Sequence, residues 1–256
     1  MTSASRDRFA EVVRAEPVDV GLACLLIGCE SEPDLDLDAS LAVLDFLAAA
    51  ARPLVSKHGA AEGLRRSLGD NAGFAGTESD FDDVRSSLLH EVLRSRRGLP
   101  IVLSVVWCEV AARLDLVAVP LGLPGRVLVC VGDPLDENVV VDPFQGGEVA
   151  AVAPEPVLHP LDLLMRLLTN VRVLTARQER SLEAARTRLW ATELSLLLPR
   201  HPLALRREHG ELLVRLGDYD RGARVLEEYA ALVGDADETL AEDSRRHARL
   251  ARSRLN

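Results

Sequence analysis

The chain of 256 residues carries 30 Lys+Arg against 40 Asp+Glu, a formal net charge of -10. That length predicts one or two domains, and 48% apolar with 27% charged residues argues against a disordered chain. The acidic balance argues against a nucleic-acid binder, because phosphate backbones reward clustered Lys and Arg. Aromatic residues, at 4%, are too few for a single-strand stacking platform.

The apolar run Val20 to Cys29 is shorter than the roughly 20 residues that cross a bilayer. The opening Met1 to Asp7 is not followed by a signal-peptide apolar stretch. Four cysteines (Cys24, Cys29, Cys108, Cys130) are widely spaced without a CxxC pair, which predicts neither a zinc site nor a disulfide framework. The expectation is a soluble, cytoplasmic protein with reduced thiols, no metal, no cofactor and no membrane partner.

In chain order, the first hundred residues read as helices joined by acidic loops. Leu41 to Ala51 is apolar enough for a helix, with Asp38 or Ser40 as N-cap. Gly69 to Gly73 is a turn cluster, and Glu78 to Asp83 an acidic, solvated loop anchored by Phe74 and Phe81. Leu88, Leu89, Val92 and Leu93 predict a helix over Ser86 to Arg96, ended by Gly98, with Pro100 opening the next. Ile101 to Arg113 is apolar almost all round, the pattern of a central helix.

The period then changes. Leu116 to Leu121, Arg126 to Val131 and Asn138 to Val141 predict three antiparallel strands separated by Gly/Pro/Asp turns. Pro154, Pro156 and Pro160 mark a linker, so the domains are expected at 1–153 and 161–256. The second is all helical: Leu161 to Leu168, Ala176 to Leu198, Leu203 to Leu216, Asp220 to Val233 and Ala236 to Arg252. Leu216-Gly217-Asp218-Tyr219 followed by Ala223 is similar to the inter-helix core of a tetratricopeptide repeat, in a single copy where a solenoid needs about three. The fold class is α+β, helices before an antiparallel sheet, followed by an all-α region.

Several segments in order carry a family resemblance: Phe74-Ala75-Gly76, Ser86-Ser87-Leu88-Leu89 with Val92-Leu93, Gly98-Leu99-Pro100-Ile101, Pro124-Gly125, and Asp142-Pro143-Phe144 with Gly146-Gly147. Asn170, Arg207-Glu208-His209-Gly210 and Leu216-Gly217 through Tyr229 continue it. Over roughly residues 20–235 the chain resembles the SirB-type, transglutaminase-like proteins with a C-terminal tetratricopeptide-like region. The resemblance implies a papain-like arrangement, in which a helix N-terminus lowers a thiol pKa, a His takes its proton and an Asp holds the His tautomer. It also implies a bacterial origin.

Departures from the family pattern fall on the reacting groups. Where the family reads Pro-Gly-His-Phe, this chain reads Pro124-Gly125-Arg126-Val127. A guanidinium is not deprotonated in proteins and cannot serve as general base. The Asn of the family's Asn-Ser-x-Leu falls on Ser86, and no cysteine opens the central helix. Asp142 is retained. Strand parity places Arg126 on one face with Leu128 and Cys130, and with the strand pairing that the resemblance implies Arg126 is expected to reach Asp142 as a bidentate ion pair, costing about 3–5 kcal/mol to break if buried.

Two functions follow. One is a non-catalytic scaffold that binds a protein or peptide partner through a cleft at Gly125, Arg126, Asp142 and Phe144, or along its helical surface. The other is a thiol- or serine-dependent acyl transferase or amide hydrolase, with Cys108 or Ser104 as nucleophile beside His90 and Asp142. Plainer roles stand beside these: Cys108 and Cys130 as core thiols, Ser104 bonded to its own helix, Asp142 as a turn cap, His90 as a surface or capping histidine. A third possibility is a purely structural adaptor formed by residues 161–256.

Overall fold

The structure is a computed structural model that describes residues 3–151, 156–178, 180–234 and 236–254. It divides into two compact units, residues 1–167 and 168–256. In the first, α1 (Ser3–Val12), α2 (Val20–Gly28), α3 (Leu37–His58), α4 (Ala60–Leu64) and α5 (Leu89–Ser95) precede α6 (Pro100–Ala112). Capping carboxylates set two of the starts: Asp19 accepts from Leu22 N at 2.8 Å and Asp36 from Ala39 N at 2.9 Å. Asp36, rather than Asp38 or Ser40, is therefore the α3 cap.

α3 also runs well past Ala51, through Pro53. Both Pro53 and Ala49, whose carbonyl loses its helical donor there, face outward, so water can satisfy what the proline ring cannot. By length and composition α3 could cross a membrane. Its buried residues Leu44, Leu47, Ala48 and Ala51 instead form one stripe at helical spacing, and Asp45 pairs with Arg113 just beyond α6 at 2.7 Å.

The helix expected over Ser86 to Arg96 is broken in two. A 3-10 turn, Val84–Ser87, gives way to extended backbone at Leu88 before α5 begins. The end is set by Arg96, left-handed at φ 64°, rather than by Gly98. Its guanidinium lies over the Phe74 ring, 4.7 Å from the centroid.

α6 is enclosed along most of its length. Ile101, Val102, Leu103, Val105, Val106, Trp107 and Val110 are all at most 2% exposed, each contributing about 1.5–3 kcal/mol of apolar burial. It packs on α2, α3, α5 and the sheet. The sheet is antiparallel in the order β1 (Ala118–Leu123), β2 (Arg126–Gly132), β3 (Asn138–Asp142), β4 (Glu148–Val149); the short β4 was not anticipated. Leu121, Leu128 and Cys130 form a buried cluster with Val119, Leu123, Val140 and Ala150 packed against it.

The outer edge of β1 is not bare. Leu158 N donates to Pro120 O at 2.8 Å and Gly122 N to Pro156 O at 3.2 Å, so part of the expected linker is sheet-bonded. Pro154 lies outside the described residues. α7 (Pro160–Ala176) continues well past Leu168 because Val171 and Leu174 extend its buried stripe.

The second unit holds α8 (Leu182–Leu197), α9 (Ala204–Arg215), α10 (Tyr219–Val233) and α11 (Glu238–Arg252). α8 starts at Ser181, whose hydroxyl caps Ala184 N at 3.1 Å, later than its apolar pattern suggested. α9 and α10 form an antiparallel hairpin around Gly217 and the Asp218 cap. They approach closely at Gly222, where a Cβ would stand 2.9 Å from both Gly210 O and Val214 N. Ala223, Leu226, Ala248 and Ala251 make the core between α10 and α11. Glu208 binds both Arg172 and, at 2.5 Å, Arg188.

Because two of the three atoms that a Gly222 Cβ would meet are backbone and cannot rotate away, the third being a methyl of Val214, Gly222→Ala is expected to destabilise the chain by about 1–3 kcal/mol. Urea unfolding measures this; an unchanged midpoint would refute the tight approach.

Candidate functional site

Pro124 and Gly125, with φ 72° at the glycine, turn β1 into β2 and deliver Arg126 to the start of the second strand. Arg166 clamps this turn, its Nη2 donating to Leu123 O at 2.6 Å and Arg126 O at 3.1 Å. Asp142 ends the neighbouring β3. The register Val129↔Val141 places both residues on the Leu128 and Cys130 side of the sheet by parity.

Arg126 Nη2 donates to Asp142 Oδ2 at 2.5 Å. A second, bidentate bond is absent among the described residues. Asp142 Oδ1 instead accepts from Phe144 N at 3.0 Å, and Asp142 O from Gly147 N at 2.8 Å. The carboxylate is thus split between an ion pair and the cap of the Pro143–Gln145 turn. Its side chain is 7% exposed whereas that of Arg126 is 54% exposed. An open cation stands on a buried carboxylate, so the pair contributes at most about 1 kcal/mol, below the range for full burial.

Phe144 lies beside the pair. Its ring stacks on Phe81 at 5.5 Å and 52° and presses on Gly76, where a Cβ would fall 1.9 Å from a ring carbon. Gly76 N also donates to Phe144 O at 2.9 Å. The Phe74-Ala75-Gly76 and Asp142-Pro143-Phe144 segments therefore interlock through a contact only glycine permits. Phe74 is fully buried, but Phe81 is half exposed and anchors through Phe144 instead of the core.

Sequence reasoning missed Asp80. The acidic loop is not wholly solvated: Asp80 is buried and accepts from Thr77 N at 2.6 Å, Arg97 Nη2 at 3.0 Å and Ser86 Oγ at 3.3 Å. Ser86 O in turn accepts from Leu99 N at 2.9 Å, at the threshold of α6. The residue at the family's Asn position thus braces the helix entrance. The Thr77-x-x-Asp80 spacing of a capping box was the available signal.

The candidate nucleophiles stand apart from Asp142. Ser104 is fully buried and its hydroxyl donates to Ile101 O at 2.7 Å, within its own helix. Cys108 lines a largely apolar cavity of about 610 Å³ with Val105, Ala112, Val119 and Leu163. Desolvation, reinforced by the Glu109 charge, pushes its thiol up to about 12, the opposite of what a nucleophile needs. Cys130 is core, and all four cysteines are free thiols.

His90 is neither a surface nor a capping residue. It is 2% exposed on α5, with Nδ1 turned to Gly28 and Nε2 3.7 Å from Glu32 and Glu91. No hydrogen bond joins it to Ser104, Cys108 or Asp142 among the described residues. Desolvation holds its pKa below the usual histidine value despite the two nearby carboxylates, with Arg94 acting in the same direction as burial.

A helix apolar on every side, laid on a small antiparallel sheet whose hairpin and strand end present paired side chains, is the architecture of the transglutaminase-like class. The transglutaminase-like superfamily domain matches residues 38–178, from the first turn of α3 to just beyond α7, and the chain belongs to this superfamily. It is similar to a UPF0162 protein of Xylella fastidiosa strain Temecula1, 30% identical over 192 residues and 66% of each chain. UPF0162 proteins of Xylella fastidiosa strain 9a5c (31%, 63% of each chain) and Pseudomonas aeruginosa (34%, 49% of this chain and 48% of the relative) are further relatives. The matched region spans less than two thirds of each relative's own length. No solved structure matches the chain.

Two outcomes are expected. Arg126→Ala lowers unfolding free energy by no more than about 1 kcal/mol; Asp142→Ala costs about 2 kcal/mol, since it also strands the Phe144 N–H. Denaturant unfolding separates them, and equal losses would place the weight on the ion pair alone. His90, with its folded pKa depressed, binds protons more readily in the unfolded chain, so stability falls as pH drops below about 6.5. His90→Gln flattens that limb of a stability–pH profile; an unchanged limb would assign it to other groups.

Proposed function

We propose that this chain is a non-catalytic, SirB-type transglutaminase-like protein that serves in the cytoplasm as a binding or regulatory scaffold. The observation that carries this is the permanently charged Arg126 on Asp142, in the position from which an imidazole would relay a proton. Support comes from Ser104, whose hydroxyl is committed to its helix, and from Cys108, whose thiol stays protonated at neutral pH.

The helical region acts as the partner-binding part, a tetratricopeptide-like hairpin. The Gly217 turn, the Gly222 approach and buried Ala223 and Tyr229 support that likeness. Its partner is a protein or peptide segment, in keeping with the extended ligands that helical-repeat surfaces accept. Neither nucleic acid nor a membrane is a partner in this reading.

Iodoacetamide labelling of the native full chain at neutral pH, read by peptide mass spectrometry, tests the loss of catalysis. Cys108 is expected to stay unmodified until denaturant is added. Rapid native labelling, or amine incorporation into a glutamine-containing peptide that Cys108→Ser abolishes, would overturn the reading in favour of a thiol acyl transferase.

A further inference from the structure

We propose that Glu32, His90 and Glu91 form a binding site for a first-row divalent cation of the zinc or cobalt class, with Arg94 as the group the ion displaces. The three side chains come from two places: Glu32 from the loop after α2, and His90 and Glu91 from the first turn of α5. One ligand atom from each lies within 4.8 Å of the other two. His90 Nε2 is 3.7 Å from both Glu32 Oε2 and Glu91 Oε1. Donor atoms around a tetrahedral ion with bonds of about 2.0–2.2 Å stand about 3.3–3.6 Å apart, so the imidazole is already near ligand spacing from each carboxylate, and rotation of the two partly exposed Glu side chains sets the third side.

His90 is the second observation. Its side chain is 98% buried, and 3.7 Å is too long for a hydrogen bond. The Nδ1 atom is buried without a partner and packs on α2 at Gly28, where a Cβ would meet it at 2.3 Å. The ring is therefore held by packing, with Nε2 aimed between two carboxylates that it does not bond.

Arg94 supplies the competing positive charge. Its Nη1 donates to Glu32 Oε2 at 2.6 Å and Glu91 Oε1 at 3.4 Å, the same two oxygens that face the imidazole, while Nη2 holds Glu32 Oε1 at 2.8 Å. Its side chain is 53% exposed, so it can swing out into water when an ion takes its place. A divalent ion replaces one charge with two and adds the imidazole nitrogen, a donor that a guanidinium cannot use. One nitrogen with two carboxylate oxygens suits zinc or cobalt better than magnesium or calcium, which favour all-oxygen sets.

Cobalt(II) chloride titrated into the full chain at pH 7.5 tests this, read by visible absorption and by equilibrium dialysis. One saturable cobalt per chain is expected, with ligand-field bands that appear on binding and that zinc(II) removes. Arg94→Gln should tighten binding about fivefold, as removal of one exposed competing ion pair allows. His90→Gln should abolish the bands. Glu32→Gln, at a half-exposed position that leaves the core intact, should weaken binding at least about tenfold, as loss of a metal ligand or its support typically does. No stoichiometric cobalt in either the native chain or Arg94→Gln overturns the proposal. So does binding that survives unchanged in both His90→Gln and Glu32→Gln.

Discussion

The architecture of the first unit follows from one constraint: apart from Glu109, which pairs with Arg113, α6 has almost nothing polar to offer water. A helix with Ile101, Val102, Leu103, Val105, Val106, Trp107 and Val110 all inside must be covered on every flank, and α2, α3, α5 and the sheet are what covers it. The same enclosure decides its chemistry. A hydroxyl there must find an acceptor, and Ser104 finds it one turn back; a thiol there resists ionisation. The covering that stabilises the fold also commits the Ser104 hydroxyl and raises the Cys108 thiol.

At the sheet's open end one carboxylate serves two partners. Asp142 keeps its place because it caps the turn into Phe144 as well as meeting Arg126. The turn role needs a side-chain oxygen acceptor whichever side chain occupies the neighbouring strand. Retention of an aspartate is accordingly poor evidence of turnover when its second oxygen holds backbone. The aromatic pair Phe81 and Phe144 and the Asp80 network brace the same corner from the helical side.

Much of this was legible in the residues. The change of period at Leu116 marks the sheet, and the three expected strands pair as neighbours. Strand parity, together with the strand pairing that the family resemblance implies, placed Arg126 and Asp142 together. What was illegible depended on exposure. The open side of Arg126 makes the contact single and weak, and strand parity carries no information on solvent access. α3 outran its expected end because Pro53 faces water, where a missing hydrogen bond is replaced by hydration. His90 looked like a surface residue because the sequence does not reveal that Gly28 leaves room for its ring. Asp80 was hidden among acidic neighbours, of which Glu78 and Asp82 are exposed.

The bonds that Pro156 and Leu158 make to β1 have a further effect. They occupy one side of a strand rich in small and apolar residues (Ala118, Val119, Pro120, Leu121) that otherwise offers its backbone as a template to other chains. Pro120, which lacks an N–H, sits in the same strand and further blunts that margin. The proline-rich stretch after the sheet is therefore more than a spacer: it is a guard against intermolecular strand addition. A fragment cut ahead of Pro156 would lose that guard and acquire a self-adhesive border.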